Sequence, residues 1–471
     1  MADTFMHQHQ RQAKWGAYIT GYILIILGIL GAANYLANRY NRTKDFTAGK
    51  LFSLSEQTVK IAHNLQTPVK IYYFDRSDAW TNSRFGPSPK DLLTRYSNLT
   101  PKITAEYIDP VRNPQRATAM KVNTLGTVIV EANGRTEEAK GLGEEQVTNA
   151  IIRVLKPTKH VACFVTGHGE HDLDSTNPDG FSAAKESLES ANFTTRAISL
   201  LEKNAAVPSD CTVLVEAGPK TDLIEPEIDA IQKFVQGGGR ALFMLDPLIR
   251  NVNTAALAKL LGDWSVNVND DLVVDLSGVG QLFGTDEFSP LVTNYESHVI
   301  TRDMKNVASL FPLARSVTPG TSKGDVSVEK LFGTSSKSYA VKDFKTGKVE
   351  INPKKDTAGP LNLAVAGEYN APPPASPDAP KASSGRFVVV GSSRFVANAT
   401  LGFPGGNRDL FLNMMSWLTN DEDLISIRPK EEEDRRLTLS QAQMSRILLT
   451  NVFGLPILII GVGVWVWWRR R

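Results

Sequence analysis

The stretch that decides the fold is KHVACFVTGHGEHD, which spans residues 159–172. An apolar run over residues 160–166 ends abruptly at two glycines, two histidines and a glutamate. Such a run, halted by glycine and polar residues, predicts a buried strand that delivers a loop at its carboxyl end. Ligands bind at this edge in open α/β sheets. Residues 167–171, termed the GHGEH loop, are therefore the first candidate for a functional site.

Strand and helix patterns alternate after the GHGEH loop. Pro226 in a first turn and the glycines at 237–239 mark the two ends of one helix. The alternation predicts a flavodoxin-like, doubly wound α/β sheet, with a β-rich insertion over about 278–385. The predicted strands are 160–166, 194–200, 212–216, 240–245 and 272–275, and the predicted helices are 181–191, 225–236 and 254–261. We expect a strand at 386–390 and a helix at 407–418 to close the sheet.

A smaller domain is predicted before residue 158. Its elements follow the order β-α-β-α-β-β-α of a thioredoxin-like fold, and Asn133-Gly134 is a strong hairpin signal. No cysteine lies there, so thiol redox chemistry is excluded and a docking or spacer role is expected. The predicted strands are 69–74, 103–108, 127–131 and 136–139, and the predicted helices are 55–65, 90–98, 115–121 and 144–155.

The two ends of the chain are apolar. Residues 15–36 and 447–468 are each long enough, at roughly 30 Å, to cross a bilayer core, and both carry interfacial aromatics. We prefer an uncleaved anchor to a signal peptide for the first stretch. Three arginines at 469–471 place the second stretch's end in the cytoplasm. The sequence therefore predicts a bacterial inner-membrane protein with both termini cytoplasmic and its large region in the periplasm or outside.

These patterns divide the chain into six parts. They are a cytoplasmic tail and transmembrane helix (1–37), a stalk and helix (38–66), the thioredoxin-like domain (67–157), the α/β domain with its β-rich elaboration (158–425), a charged stalk (426–446), and a second transmembrane helix with an arginine tail (447–471). The fold class is thus α/β, flanked by N- and C-terminal transmembrane helices.

Composition excludes one partner class. Lys and Arg number 52 against 50 for Asp and Glu, so the net charge is +2. The chain therefore lacks the excess of basic residues that is typical of nucleic-acid-binding proteins. The two cysteines, Cys163 and Cys211, both lie in predicted strands. Buried free thiols are the preferred interpretation, and a single disulfide is the alternative.

The chemistry of the GHGEH loop leaves three interpretations open. The glycines can serve a tight turn whose polar groups bind backbone or water, the histidines and Glu170 can bind a ligand or metal, or Ser, His and Asp from several strand ends can meet as a triad. The first is preferred, because the sequence around Ser392 is not a nucleophile elbow and no second ligand cluster stands out. No catalytic residue, metal site or cofactor is predicted, and no phosphate-binding P-loop occurs. The ligand-binding candidates are His168, Glu170, His171, Asp246, Ser392, Ser393 and Arg394. If the loop binds a ligand, we expect His168, Glu170 and Asp246 to converge on one concavity.

Over nearly its full length the chain resembles the GldG family, auxiliary components of ABC-2-type transporters linked to gliding motility. The residues that carry the resemblance are 38–40, 52–55, 68–69, 146–151, 166–170, 217–219, 237–239, 246–247, 390–393, 417–418, 428–429 and the final arginines. The resemblance implies a subunit that works with a separate permease and ATPase. It establishes no catalytic residue.

The predicted function is that of a membrane-anchored extracytoplasmic accessory subunit of an ABC-2-type export complex. It would be non-enzymatic, dock to the permease and take part in substrate binding, with the permease, a separate ATPase and the lipid bilayer as partners. The alternative is a membrane-anchored periplasmic hydrolase or metal-dependent enzyme that uses the GHGEH loop.

Overall fold

The computed structural model describes residues 18–32, 34–35, 53–81, 88–156, 159–201, 205–249, 252–282, 284–305, 307–321, 325–344, 349–370, 384–403, 405–419, 453 and 455–470. The predicted charged stalk at 426–446, most of the stalk at 38–54 and the Pro/Ala/Ser loop at 371–383 lie outside these residues. The chain forms two compact units, residues 54–429 and residues 1–53 together with 430–471. Each is described by itself.

The larger unit begins with a four-stranded sheet of order β2-β1-β3-β4, in which only the β1–β2 pair is parallel. Apolar side chains alternate along β1, so the sheet has a buried cluster on each face. The strands are β1 Val69–Phe74, β2 Ile103–Ile108, β3 Thr127–Ala132 and β4 Arg135–Ala139, and the helices are α1 Glu56–His63, α2 Pro89–Leu99, α3 Pro114–Ala119 and α4 Glu144–Leu155. The predicted element order of this region is confirmed.

A sheet of eight strands follows, in the order β12-β15-β18-β19-β8-β7-β5-β6. The five strands from β19 to β6 are parallel, and β12, β15 and β18 add to them in antiparallel pairing. The parallel strands are β5 His160–Val165, β6 Phe193–Ile198, β7 Val213–Ala217, β8 Arg240–Met244 and β19 Gly385–Val390. The other three are β12 Asn294–Tyr295, β15 Val326–Gly333 and β18 Asn362–Tyr369.

Helices cover both faces of the parallel part. The helices α5 Ser182–Ser190 and α10 Asn407–Leu418 contribute to the core that contains Ala162 and Phe164 of β5. The helices α6 Glu225–Gln236 and α7 Ala255–Asp263 contribute to the core that contains Cys163 and Val165. Because successive strand residues point to opposite faces, the two cores lie on the two sides of the sheet. The structure is mixed α/β with several sheets, as predicted at that level; the flavodoxin-like and thioredoxin-like assignments stay predictions.

The region from 266 to 370 differs from the predicted insertion. β15 and β18 extend the main sheet beyond β19, so the strand at 385–390 lies inside the sheet and does not close it. The predicted sheet strand at 272–275 instead pairs in a small sheet of its own. The other described strands and α-helices of the larger unit are β9 Val266–Val268, β10 Leu272–Asp275, β11 Leu291–Val292, β13 Ser309–Leu310, β14 Val317–Pro319, β16 Ser338–Val341, β17 Thr357–Ala358, α8 Val279–Leu282 and α9 Asn398–Leu401. Two short 3-10 helices span Arg302–Met304 and Arg394–Val396.

The preference for free thiols is wrong, because Cys163 and Cys211 form a disulfide. β5 and β7 are parallel neighbours, and Cys211 lies just before β7. This adjacency places the two Cα atoms 5.8 Å apart, a separation that a disulfide spans. A spacing of 48 residues in the sequence carries no such information.

The smaller unit corrects the predicted membrane topology. Its described helical residues are 18–32, 34–35 and those of α11 Leu455–Arg469, which has 15 residues and therefore a length of about 22 Å. A bilayer core needs about 20 helical residues. Within the part of the chain that the structure describes, no helix combines the length and apolar character needed to cross a membrane. The prediction of two spans, with the inner-membrane location and orientation derived from them, is therefore not supported.

Candidate functional site

The GHGEH loop leaves the carboxyl end of β5 in a conformation that needs its glycines. Gly167 has a φ of +132° and Gly169 a φ of +83°, a region that favours glycine. A Cβ on Gly167 would lie 2.8 Å from the Leu201 side chain. The loop is held against the residues after β7, since the amide of His171 donates to the carbonyl of Ala217 and that of Lys220 to the carbonyl of His168. The sequence therefore turns sharply here for steric reasons.

Glu170 closes the loop from within. Its Oε2 accepts hydrogen bonds from the amides of Gly167 and His168, at 3.0 and 2.8 Å. The side chain is only 2% exposed. Two backbone amides donate to the same buried side-chain oxygen, so Glu170 fixes the turn that the glycines permit.

Four buried ionisable side chains meet behind the loop: His168, Glu170, Glu216 of β7 and Glu227 of α6. They are termed the His–Glu cluster. Nε2 of His168 lies 3.2 Å from Oε2 of Glu227, and its Nδ1 lies 3.5 Å from Oε1 of Glu170. Burial raises the pKa of Glu216 well above its usual value, and the charges of Glu170 and Glu227 raise it further. Glu227 also accepts a hydrogen bond from the amide of Ile224 at 2.9 Å, so the cluster is fixed to the start of α6.

A second set of contacts joins Asp246, Ser393 and His171, termed the Asp–Ser–His array. Oγ of Ser393 lies 2.8 Å from both carboxylate oxygens of Asp246 and 2.8 Å from Nε2 of His171. Nδ1 of His171 lies 2.6 Å from the carbonyl oxygen of Asp179, and the ring stacks on Phe181 with centroids 4.5 Å apart. Burial lowers the pKa of His171, although the charge of Asp246 opposes the shift. The carbonyl oxygen of Asp179 can only accept, so Nδ1 of His171 donates to it.

The array resembles a nucleophile–base pair but differs from a hydrolytic triad. Oγ of Ser393 is within hydrogen-bonding reach of an imidazole, as nucleophilic catalysis requires. The carboxylate, however, contacts the serine and not the imidazole. Ser393 is fully buried, and a Cβ on Gly218 would lie 2.5 Å from its Oγ. A carbonyl carbon therefore has no space to approach the hydroxyl, and the array joins the ends of β8 and β19 to the loop.

Two candidates have other contacts. Oγ of Ser392 donates to the carbonyl of Pro312 at 2.7 Å. Arg394 pairs with Asp179 at 2.6 Å, and both side chains are partly exposed. The structure thus brings the candidates to one sheet edge but divides them, with His168 and Glu170 in one set and His171, Ser393 and Asp246 in another. The convergence of His168, Glu170 and Asp246 that was expected of a ligand site is not found.

The sequence analysis missed Glu216, Glu227 and Asp179. Glu216 had a visible signal, since it is the one charged residue in the strand sequence VLVEA. Glu227 lies in the first turn of its helix, where an acid is explained by the helix dipole alone. Among the described residues, no group of three or more His, Cys, Asp or Glu has the arrangement to hold a metal ion.

Comparisons with known proteins place this region in a family. Residues 159–420 match the family model described as "ABC-type uncharacterized transport system", and residues 48–152 match "Domain of unknown function (DUF7088)". No curated protein matches. The chain titled "mmIFT52 N-terminal domain" shares 17% identity at a TM-score of 0.40, covering 55% of this chain and 97% of that one. A putative ThuA-like protein from Bacteroides uniformis ATCC 8492 shares 13% identity at 0.31, covering 55% and 91%. These two likenesses are too weak to carry an argument.

Proposed function

The chain belongs to the family described as ABC-type uncharacterized transport system, and we propose that it is a non-enzymatic accessory subunit of the GldG kind. In this proposal it docks to an ABC-2-type permease that works with a separate ATPase, and takes part in binding the exported substrate. The observation that carries the proposal is the family match over 159–420, which contains the whole candidate site. A link to gliding motility belongs to the same proposal.

The burial of Ser393 and the contacts of its hydroxyl support a non-enzymatic role. Ser393 is fully buried, and a fixed carboxylate and imidazole surround its hydroxyl. Catalytic serines must reach a reacting carbon, whereas this one links two strand ends to a loop. The GHGEH loop then presents the exposed backbone of Gly167 and Gly169 at the sheet edge, a surface suited to docking. Leu201, which packs beside Gly167, is 49% exposed there.

The region before residue 158 is proposed as a thioredoxin-like spacer that is joined firmly to the main sheet. Arg408 of α10 pairs with the buried Glu145 of α4 at 2.8 Å. Arg153 of the same helix donates to the carbonyl of Ser190 at 3.1 Å. These two contacts support a fixed position of the spacer against the main sheet.

Affinity purification of the tagged full-length chain in mild detergent tests the proposal. We expect a permease and an ATPase to be recovered in fixed ratio. A Leu201→Asp variant should lower that recovery, and Leu125→Asp, another exposed leucine (55%) placed elsewhere, serves as the matched control. Recovery of the chain alone, under conditions that preserve a known transport complex, would overturn it.

The alternative of a hydrolase rests on the 2.8 Å contact between Ser393 and His171. A fluorophosphonate probe labels activated serines, so it separates the two functions. Labelling of the full chain that is lost in Ser393→Ala would favour the hydrolase. No labelling, together with unchanged partner recovery for Ser393→Ala, would favour the accessory role.

A further inference from the structure

The His–Glu cluster contains more acceptors than donors. Three of its four members are carboxyl groups, and Glu216 and Glu227 have no measurable exposure. Five atoms of the cluster find no hydrogen-bond partner among the described residues. They are Nδ1 of His168, Oε1 of Glu170, Oε1 and Oε2 of Glu216, and Oε1 of Glu227. Buried polar atoms are nearly always paired, so these five atoms require a hydrogen-bond donor or a positive charge beside them.

The net charge of the His–Glu cluster indicates that a proton is bound there. With all three carboxyl groups ionised, three negative charges would surround a single imidazole ring. Such charge is strongly disfavoured in a site this buried. The side chain of Glu216 lies within hydrogen-bonding range of Glu170, yet two carboxylates cannot bond without a hydrogen between them. A proton on Glu216 that is donated to Glu170 pairs one oxygen of each carboxyl group and removes one negative charge.

We propose that His168, Glu170, Glu216 and Glu227 form a proton-binding site, and that the proton shared by Glu216 and Glu170 holds the GHGEH loop against β7. Glu170 is the connecting residue. Its Oε2 accepts from the amides of Gly167 and His168, and its side chain lies beside that of Glu216. Loss of the proton places two like charges in contact, which releases the carboxylate that closes the loop. The inference stands whether or not the chain docks to a transporter.

The ionisable groups around Glu216 come from two elements, the GHGEH loop and α6. The loop contributes Glu170 and His168, and α6 contributes Glu227. β8 contributes no charge, because Phe243 is the residue opposite Glu216 in the register. Lys220, after β7, packs its aliphatic carbons on Gly169 and is exposed, so its ammonium group lies in solvent. Burial and the negative neighbours both raise the pKa of Glu216, and among the described residues no cation opposes this shift.

The dependence of stability on pH tests the proton. A folded-state pKa above the unfolded value of about 4.3 means that the folded chain keeps a proton that the unfolded chain releases. Stability is then lost as pH rises from about 4.3 towards the raised pKa. The unfolding equilibrium constant of the full chain should rise about tenfold per pH unit relative to that of Glu216→Gln, which cannot titrate. Glu186→Gln, at an exposed position of α5, should follow the unchanged chain.

A pH-independent ratio between the unchanged chain and Glu216→Gln would overturn the proton-binding site. The loop is tested by amide hydrogen exchange, in which Gly167 and His168 should lose protection at high pH in the unchanged chain and keep it in Glu216→Gln. Identical protection in both chains would overturn the latch. If Glu216→Gln does not fold, Glu216→Leu replaces it. Infrared difference spectra against that variant should then show a protonated carboxyl band at neutral pH, and absence of the band refutes the site.

Discussion

Gly218→Ala is the sharpest test of the Asp–Ser–His array. Gly218 follows β7 with a φ of +69°, and its amide donates to the carbonyl of Met244. A Cβ there would lie 2.5 Å from Oγ of Ser393, 2.9 Å from its Cβ and 3.2 Å from Oδ2 of Asp246. All three neighbours are parts of the array, so the substitution must displace the residues that join β8, β19 and the loop.

The loss of unfolding free energy expected for Gly218→Ala is the sum of two terms, one for the backbone conformation and one for overpacking. An L-residue in the left-handed region costs about 1–2 kcal/mol. Overpacking a buried site adds about 1–3 kcal/mol, so the total is about 2–5 kcal/mol. Gly134, in the turn between β3 and β4, provides a matched control with a φ of +73° and no atom within 4 Å of its Cβ position. Gly134→Ala should therefore show only the first cost.

Urea unfolding followed by tryptophan fluorescence measures the difference. We expect Gly218→Ala to lose about 1–3 kcal/mol more free energy of unfolding than Gly134→Ala. Combining Gly218→Ala with Ser393→Ala removes the shortest contact, so the double variant should be less destabilised than the sum of the single variants. Equal losses at the two glycines, or strict additivity with Ser393→Ala, would refute the packing described for the array.

Three further predictions concern other buried groups. Replacing both Cys163 and Cys211 with alanine should lower the free energy of unfolding by about 2–4 kcal/mol. A reductant should lower the melting temperature of the unchanged chain but not that of the double variant. Thiol labelling of the folded, unreduced chain should detect no free cysteine. Arg315 is 2% exposed and donates to the carbonyls of Asn269 and Asp246, so Arg315→Met should cost about 3–5 kcal/mol in urea unfolding, and a change near zero would contradict this. Because burial lowers the folded-state pKa of His171, its stabilising contribution is complete above the unfolded value of about 6.5 and is lost as pH falls below it. Stability measured at pH 7.5 and pH 5 should therefore fall less in His171→Gln than in the unchanged chain, and parallel curves would exclude the effect.

Local patterns predicted many elements because each depends on neighbouring residues. The strand at 69–74 and the helix at 144–155 have the predicted bounds, since alternation and helical periodicity are properties of short segments. The pairing of β18 with β19 was not predictable in this way. It joins residues 364 and 390 across a long intervening segment, and the sequence of neither strand indicates which strand it pairs with.

The candidate site shows the same division. Glycines and a following acid marked the GHGEH loop, and the structure gives them a steric and a hydrogen-bonding reason. His168 and His171, three residues apart, nevertheless enter different sets of contacts. Sequence spacing could not show this, because it depends on which side of the loop each ring lies. Glu227, from a helix almost sixty residues later, completes the first set.

The sequence by itself determined the mixed α/β class, the turn at the GHGEH loop and the family resemblance, because these depend on residue types and their short-range order. Only the tertiary structure decided the disulfide, the extension of the sheet beyond β19 and the burial of Ser393. Each depends on which strands become neighbours, a choice made by packing over the whole core. The GHGEH loop is therefore a predictable turn whose chemistry comes from residues distant in the chain, and above all from Glu216, a carboxyl group buried between them.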